Sequence, residues 1–357
     1  MRPWLNTIMS QFKINSITDK SGYSGPVIYG VSTNNSTGCM IIPAGPTEHR
    51  GGRGRGVVAG GRAIPNTGAV RESIDMHEIA TTGNAVDFGD VAQENTNASG
   101  GNSSTTRAVF AAGYEYPADG QTDRLQFVII SSSGGAVNFG NLVNGNNSAM
   151  GCASNNTRGI FYGGNNPDYV PFLSQINLQS LGTDSNFGST LVAQRNAAAV
   201  ASPTRAVFAG GDTSTGNLFT IQSIEFATLG TPIPFGELTD DRTGHTAASS
   251  GVRGVFAGAK APGVVITMEY ITIATEGNGT DFGDLSVAKR NMAGNSNSIR
   301  GTFSGGHTAP SGTGNNLNVI EFITIATTGN AQDFGDLVLA RRCQNAGGSD
   351  AHGGVGR

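Results

Sequence analysis

The chain alternates between short apolar runs and glycine-rich polar stretches, and the apolar runs repeat. Arg205 opens RAVFAGG, and related phrases open at Arg55 (RGVVAGG), Arg107 (RAVFAAG), Arg158 (RGIFYGG), Arg253 (RGVFAGA) and Arg300 (RGTFSGG). Successive copies start 52, 51, 47, 48 and 47 residues apart. An apolar run that ends on paired glycines reads as a strand entering a sharp turn. A fixed period of this length marks a repeat architecture.

Each period carries two further apolar elements and one of small residues. A β-branched run such as Val319-Ile320-Glu321-Phe322-Ile323-Thr324-Ile325 alternates as a half-buried strand does. After a Thr-Gly-Asn turn signal comes a short strand with one aromatic, clearest as Asp87-Phe88-Gly89-Asp90. The Phe-Gly pair recurs at Phe139, Phe187, Phe235, Phe282 and Phe334. Small-residue segments, 193–201 and 288–294 among them, suit a crowded position such as a propeller's central axis. Each unit of about 49 residues thus holds four strands, here called A (small), B (glycine-ended), C (alternating) and D (Phe-Gly). The first B strand lacks a good A strand before it, and the chain ends on an A-like segment, 340–348, with no complete B strand after it. The two ends complement each other and predict closure of a ring. The expected fold is all-β: a six-bladed propeller of four-stranded blades over 55–357.

Residues 1–46 do not repeat. Alternating stretches at 13–18 and 25–32 read as short strands or an extended arm with too little apolar surface to fold alone. Met9-Ser10 reads as a second start site, which makes 1–8 an extension. Residues 47–54 are a Gly/Arg hinge.

Composition narrows the function. With 54 glycines and 13% charged residues the chain is poor in helix formers. A net charge of −4 gives no bulk attraction to nucleic acid, and no apolar run approaches the ~20 residues of a membrane span. One short RGG-like stretch at 51–55 does not make an RNA-binding tract in an acidic chain. Cys39, Cys152 and Cys343 are lone thiols, and the N-terminus lacks a secretory apolar core.

The chemistry-bearing motifs are weak. Asp87-Phe88-Gly89, Asp281-Phe282-Gly283 and Asp333-Phe334-Gly335 spell a kinase magnesium motif, yet three copies in register with the repeat make them blade strands. The Gly52–Gly56 run has neither a βαβ setting nor a Walker lysine. His49, His77, His245, His307 and His352 lack metal-ligand spacing. Asp90, Glu237, Asp284 and Asp336 are expected to pair with arginines of strands A or B, such as Arg195 and Arg290, and so to fasten blade to blade. No catalytic, cofactor or metal residue is predicted. The variable B–C loops, 62–70, 114–123, 165–171, 212–217, 260–264 and 307–316, are the candidate binding face, with Tyr114, Tyr116 and Tyr169 as its amphipathic anchors.

An apolar strand with Gly-Gly, then an alternating strand, a turn and an aromatic strand, resembles the kelch propeller repeat, with Phe where kelch usually has Trp. The phrases RGGRGRGVVAGG and ITIATTGNAQDFGDL, with INSITDKSGYSGPVIYGVST and MIIPAGPTEHRGG before them, resemble propeller-type structural proteins of marine cyanophages. That resemblance covers most of the chain. It implies a non-enzymatic virion protein that decorates the head or belongs to the tail or fibre, with the N-terminal arm contacting other virion proteins. The alternatives are a tip protein that recognises a host surface glycan and, behind it, a propeller enzyme acting on glycans.

Overall fold

A computed structural model describes residues 32–33, 40–41, 54–62, 72–92, 100–115, 120–143, 145, 147–309, 315–343 and 346–355. The chain divides into two compact units, Met1–His49 and Arg50–Arg357. In the first, Ser32–Thr33 pairs antiparallel with Met40–Ile41. Of the arm strands expected at 13–18 and 25–32, all but Ser32 lie outside the described residues.

The second unit is a six-bladed β-propeller. Its blades are antiparallel sheets in the order A-B-C-D. The B strands are Arg55–Ala59, Arg107–Glu115, Arg158–Tyr162, Arg205–Ala209, Arg253–Lys260 and Arg300–Ser304, which number blades 1 to 6. The D strands are Val86–Asp90, Val137–Asn141, Ser185–Ser189, Ile233–Glu237, Thr280–Asp284 and Gln332–Asp336. Blade 1 takes its A strand from the C-terminus: Gly347–Ser349 pairs with Val58, Val57 and Gly56. Closure therefore joins the two ends as the sequence predicts, with the strand itself at the far end of the expected 340–348 segment. The A strands are likewise shorter than read: Ala198–Ala201 and Ala293–Ser296 leave Arg195 and Arg290 in the D–A linkers.

The hydrophobic core lies between blades. Phe139 of blade 2 clusters with Phe161, Phe172 and Ile176 of blade 3, and Phe334 of blade 6 with Val58 and Ala85 of blade 1. All six Phe-Gly rings are 2–4% exposed, so truncating one would cost about 3–5 kcal/mol.

Main-chain contacts fasten each blade to the next. The C–D turn glycine donates its N–H to the Phe carbonyl of the preceding blade's D strand, at 2.7–3.1 Å in all six junctions (Gly83 to Phe334 at the closing one). Two residues on, Ala85, Ala136, Asp184, Gly279 and Ala331 donate again. The blade 4 turn has Pro232 there, which has no N–H. The Gly of each Phe-Gly pair is required by this approach: a Cβ on Gly89, Gly140, Gly188, Gly236, Gly283 or Gly335 would collide with the facing glycine's main chain.

The arginine that opens strand B adds a staple. Arg55 donates to the carbonyls of Ile130 (3.2 Å) and Ser131 (2.9 Å), and Arg300 closes the circle onto Ala80 (2.8 Å). Arg107, Arg158, Arg205 and Arg253 reach the following blade in the same way. The expectation for these arginines is half right. They do join blades, but through carbonyl oxygens and not through the acids after Phe-Gly. The backbone N–H groups of Glu237, Asp284 and Asp336 bond instead to Asn278, Asn330 and Asn84 of the next turn.

Five of the six staples are held from their own blade by one of two devices, and the sixth, Arg158, lies over Phe187 of strand D. Phe127, Tyr270 and Phe322 of strand C lie under the guanidinium groups of Arg107, Arg253 and Arg300. Where strand C has Met76 or Ser223 at that register, the arginine's cross-strand partner is an acid, giving Arg55–Glu78 and Arg205–Glu225. Both devices fix a half-exposed guanidinium.

Deleting residues 340–357 strips the A strand from blade 1 and exposes a strand edge. The truncated chain is expected to lose its single cooperative melt and to aggregate in size-exclusion chromatography. A truncated chain that stays monomeric and melts like the full one would refute closure.

Candidate functional site

The six A strands surround a narrow axial cavity of about 80 Å³, lined by Ser103, Ser154, Ala201, Ser249, Ser296 and Ser349 near one end. These six occupy one register. The Ser154 hydroxyl donates to the Ser103 carbonyl (2.9 Å) and accepts its N–H (2.8 Å). Ser103 does the same to Ser349, Ser296 to Ser249, and Ser249 to Ala201. Ser349 donates to the Ser296 carbonyl. Ala201, without a hydroxyl, is the break in the circle.

The C-terminal turn covers that break. The Gly353 N–H bonds the Ser249 carbonyl (2.9 Å), and His352 Nε2 donates to the Ser103 carbonyl (2.8 Å) while Nδ1 accepts the Gly354 N–H (3.1 Å). This pattern requires the neutral imidazole, and burial holds its pKa below the usual histidine value. A Cβ on Gly354 would collide with the Ser154 carbonyl. One end of the axis is thus closed by the chain's own tail.

The opposite mouth is built from five described rungs that continue the A–B ladder beyond strand B, after a Gly-Gly pair in blades 1, 3, 4 and 6 and after Gly258-Ala259 in blade 5. Gly60, Gly163, Gly210 and Gly305 take φ of 57–68°, a conformation that suits glycine. The residue after the pair then bridges the D–A linker: Arg62↔Arg342, Asn165↔Ser148, Asp212↔Arg195, Lys260↔Thr243 and His307↔Arg290. Ala149, Asn196 and Asn291 follow these linker residues with φ of 53–57°. The N–H groups of Asn196 and Asn291 bond the carbonyls of Ala149 and Gly244 in the preceding blade. The rungs are therefore held in a ring by left-handed residues.

Their charge is uneven. The described rungs carry five cations, Arg62, Arg195, Lys260, Arg290 and Arg342, and one carboxylate, Asp212, in a chain whose net charge is −4. Asp212 is a hub between three blades. It accepts from the Tyr169 hydroxyl (2.9 Å), Arg195 Nε (3.1 Å), Asn196 Nδ2 (2.8 Å) and the Thr243 hydroxyl (2.6 Å). Burial, Arg290 and Arg342 push His307 down to about 3. Burial, Arg62 and Arg290 pull Arg342 down to about 10.

Of the predicted anchors, Tyr169 belongs to this rim, with its hydroxyl on Asp212 and its ring under the Arg195 guanidinium, 4.7 Å away. Tyr114 lies in the B strand of blade 2, opposite Gln121, and Tyr116 lies outside the described residues. Blades 2 and 5 extend B and C into long hairpins, so 114–115 and 120–123 are strand, and the loop expected at 260–264 narrows to 261–263. Beside this face, a groove of about 460 Å³ runs between blades 2 and 3, lined by Asn147, Asn166, Phe172, Asp184 and Asn186. Burial raises the Asp184 carboxyl above its ordinary pKa, and its Oδ1 accepts the Val143 N–H at 2.6 Å.

The remaining histidines and thiols are structural in placement. His77 of blade 1 bonds the Thr302 hydroxyl of blade 6 (2.9 Å), and His245 packs edge-on against Phe256. Cys343 is buried in the blade 6–1 core, with its thiol pushed up to about 12 by burial, and Cys152 lines the axial cavity. Among the described residues, no group of three or more His, Cys, Asp or Glu is placed to hold a metal ion.

Sequence reasoning missed three pairs of charges between the D–A linkers and strand C: Arg341–Asp75 (2.7 Å), Lys289–Glu321 (2.6 Å) and Arg242–Glu269, all at most 3% exposed. The signal was a basic residue just before strand A and an acid inside an otherwise apolar strand C. The second oxygen of each acid takes a linker N–H, from Val338, Ser286 or Thr239. Blade 2 uses neutral Gln126 in the same place, bonded to Ala92. Removing one partner of such a buried pair costs about 3–5 kcal/mol.

No protein-family model matches the chain, and no curated protein matches it. The fold is what the geometry defines: a closed six-bladed propeller with a latched axis and a cationic mouth.

Burial first, and then the Arg242 guanidinium, hold His245 down at about 3, against about 6.5 in the unfolded chain. A depressed histidine pKa gives a contribution that is complete above pH 6.5 and is lost progressively as pH falls below it. The His245→Phe variant is therefore expected to lose less stability than the wild type between pH 7 and 4.5 in urea titrations. Parallel pH profiles for the two would refute this.

Proposed function

We propose that the chain is a non-enzymatic structural protein of a phage virion, with the propeller as its displayed body and residues 1–46 as the arm that meets other virion proteins. The resemblance of its sequence phrases to propeller-type cyanophage proteins motivates this reading. The observation that carries it is where the propeller spends its polar side chains. The three buried ion pairs, the serine circle and the six arginines all bond backbone or side chains of the ring itself. Chemistry on a substrate needs polar groups that converge on a shared space outside such a lattice. The partition into units at Met1–His49 and Arg50–Arg357 supports a separate anchoring segment.

A second reading, recognition of a host surface glycan, is favoured by the groove between blades 2 and 3. Three asparagine amides, a carboxyl and one aromatic ring are groups that bind sugar hydroxyls and faces.

Deletion of 9–46 tests the first reading. The propeller is expected to fold and melt as before but to be missing from purified particles; particles that still carry it would count against the anchor. The triple variant Tyr114→Ala, Tyr116→Ala, Tyr169→Ala separates the two readings. Normal assembly with lost adsorption to host cells would favour glycan recognition, and lost assembly would make this face a virion contact.

A further inference from the structure

We propose that the Arg62–Arg342 rung at the axial mouth is a binding site for a phosphate-type oxyanion, independent of any role in the virion. Arg62 and Arg342 exchange both main-chain hydrogen bonds, N–H to carbonyl at 3.0 and 3.1 Å. Residues so paired on an antiparallel ladder present their side chains on the same side of it, and like charges directly opposite one another are unfavourable. The corresponding rungs avoid that arrangement. Blade 4 sets Arg195 against Asp212, blade 5 sets Lys260 against Thr243, and blade 3 sets Asn165 against Ser148. Blade 6 sets Arg290 against His307, which burial keeps neutral. Only blade 1, among the described rungs, opposes two permanent cations.

Nothing in the described structure neutralises the pair. No carboxylate among the described residues lies within ion-pair distance of Arg62 or Arg342, and the Arg342 Nε is buried without an acceptor. The adjoining sequence, 63–71 after Arg62 and 343–349 after Arg342, contains no Asp or Glu. Arg290 of the blade 6 rung, whose Nε donates to the Ala309 carbonyl and whose charge Asp212 offsets, is close enough to depress Arg342 further. The loop amide of Asn316, which donates to the Arg62 carbonyl at 2.6 Å, holds this part of the rim in place.

Two directly opposed guanidinium groups, with that of Arg290 close by, call for more than one negative charge and for acceptors in several directions. A phosphate group, with a charge near −1.5 to −2 as a monoester and three or more oxygens, supplies both, whereas a lone carboxylate supplies one charge in one plane. The group could be free phosphate or a phosphate ester on a sugar; its recognition by the rung is the same.

The full-length chain is melted in inorganic phosphate, glucose 6-phosphate, acetate and chloride at matched ionic strength and pH 7.5. At roughly ten times the dissociation constant, phosphate is expected to raise Tm by about 3 °C over chloride, with acetate near chloride. Glucose 6-phosphate matching or exceeding phosphate identifies an ester site, and a gain confined to inorganic phosphate identifies a free-ion site. General salting effects act on any variant alike, so Arg342→Gln is the control. It should lose the phosphate increment and, freed of the like-charge contact, melt no lower than wild type in chloride. Should Arg342→Gln fail to fold, Arg62→Gln carries the same comparison. Equal phosphate increments in wild type and variant, or none in wild type, would overturn the proposal.

Discussion

The propeller depends on how closely one blade can approach the next. A D strand meets the following C–D turn glycine against glycine, and the turn's N–H reaches the Phe carbonyl at 2.7–3.1 Å. Any side chain at the Phe-Gly glycine would push the two blades apart, and the buried Phe beside it would lose its wall. The aromatic contact and the main-chain bond are therefore one constraint. It repeats six times, and a ring allows no slack: a gap at one junction must be taken up by the others.

That geometry explains the division of labour among polar groups. Each blade has both faces buried in two different cores, so polar side chains that stay inside must find partners across a seam. The B-strand arginines satisfy turn carbonyls, the strand C acids satisfy linker N–H groups, and the axial serines satisfy one another's backbones. The junction of blades 6 and 1 uses the same devices although the A and B strands of blade 1 come from opposite ends of the sequence. In the other blades a Ser or Asn after strand A caps the arginine N–H three residues on, as Ser104 does for Arg107 (3.1 Å) and Asn297 for Arg300 (2.7 Å). In blade 1 Asp350 caps Arg55 at 2.9 Å across 295 residues of sequence. The chain then runs on to the axis as the His352 latch.

Much of this fold was legible because its elements are periodic. The B strands, the Phe-Gly strands and the complementary ends could be aligned with one another inside a single sequence, so blade count and closure followed from counting. Thr-Gly-Asn was read as a turn, which it is; its role as the socket for the neighbouring blade was not legible, since that partner lies about one repeat away. The three buried ion pairs were hidden because their partners sit on different elements 27 or more residues apart, and the acids after Phe-Gly looked like the arginines' partners. The candidate site was legible in part. Tyr169 does stand on the variable face, but the charged rim rests on residues scattered from Arg62 to Arg342 that only the ring brings together. The Asp350 cap could have been found by extending the Ser/Asn-x-x-Arg spacing around the closed circle.

Closure as a single cooperative constraint is tested most directly by native-state hydrogen exchange at the six C–D turn glycines, Gly83, Gly134, Gly182, Gly230, Gly277 and Gly329. Their N–H groups report each junction separately, and Gly83 reports the one the chain ends close. If the ring opens only as a whole, all six exchange with the same free energy, equal to that of global unfolding. A Gly83 amide that exchanges by a local opening, well ahead of the other five, would contradict the account.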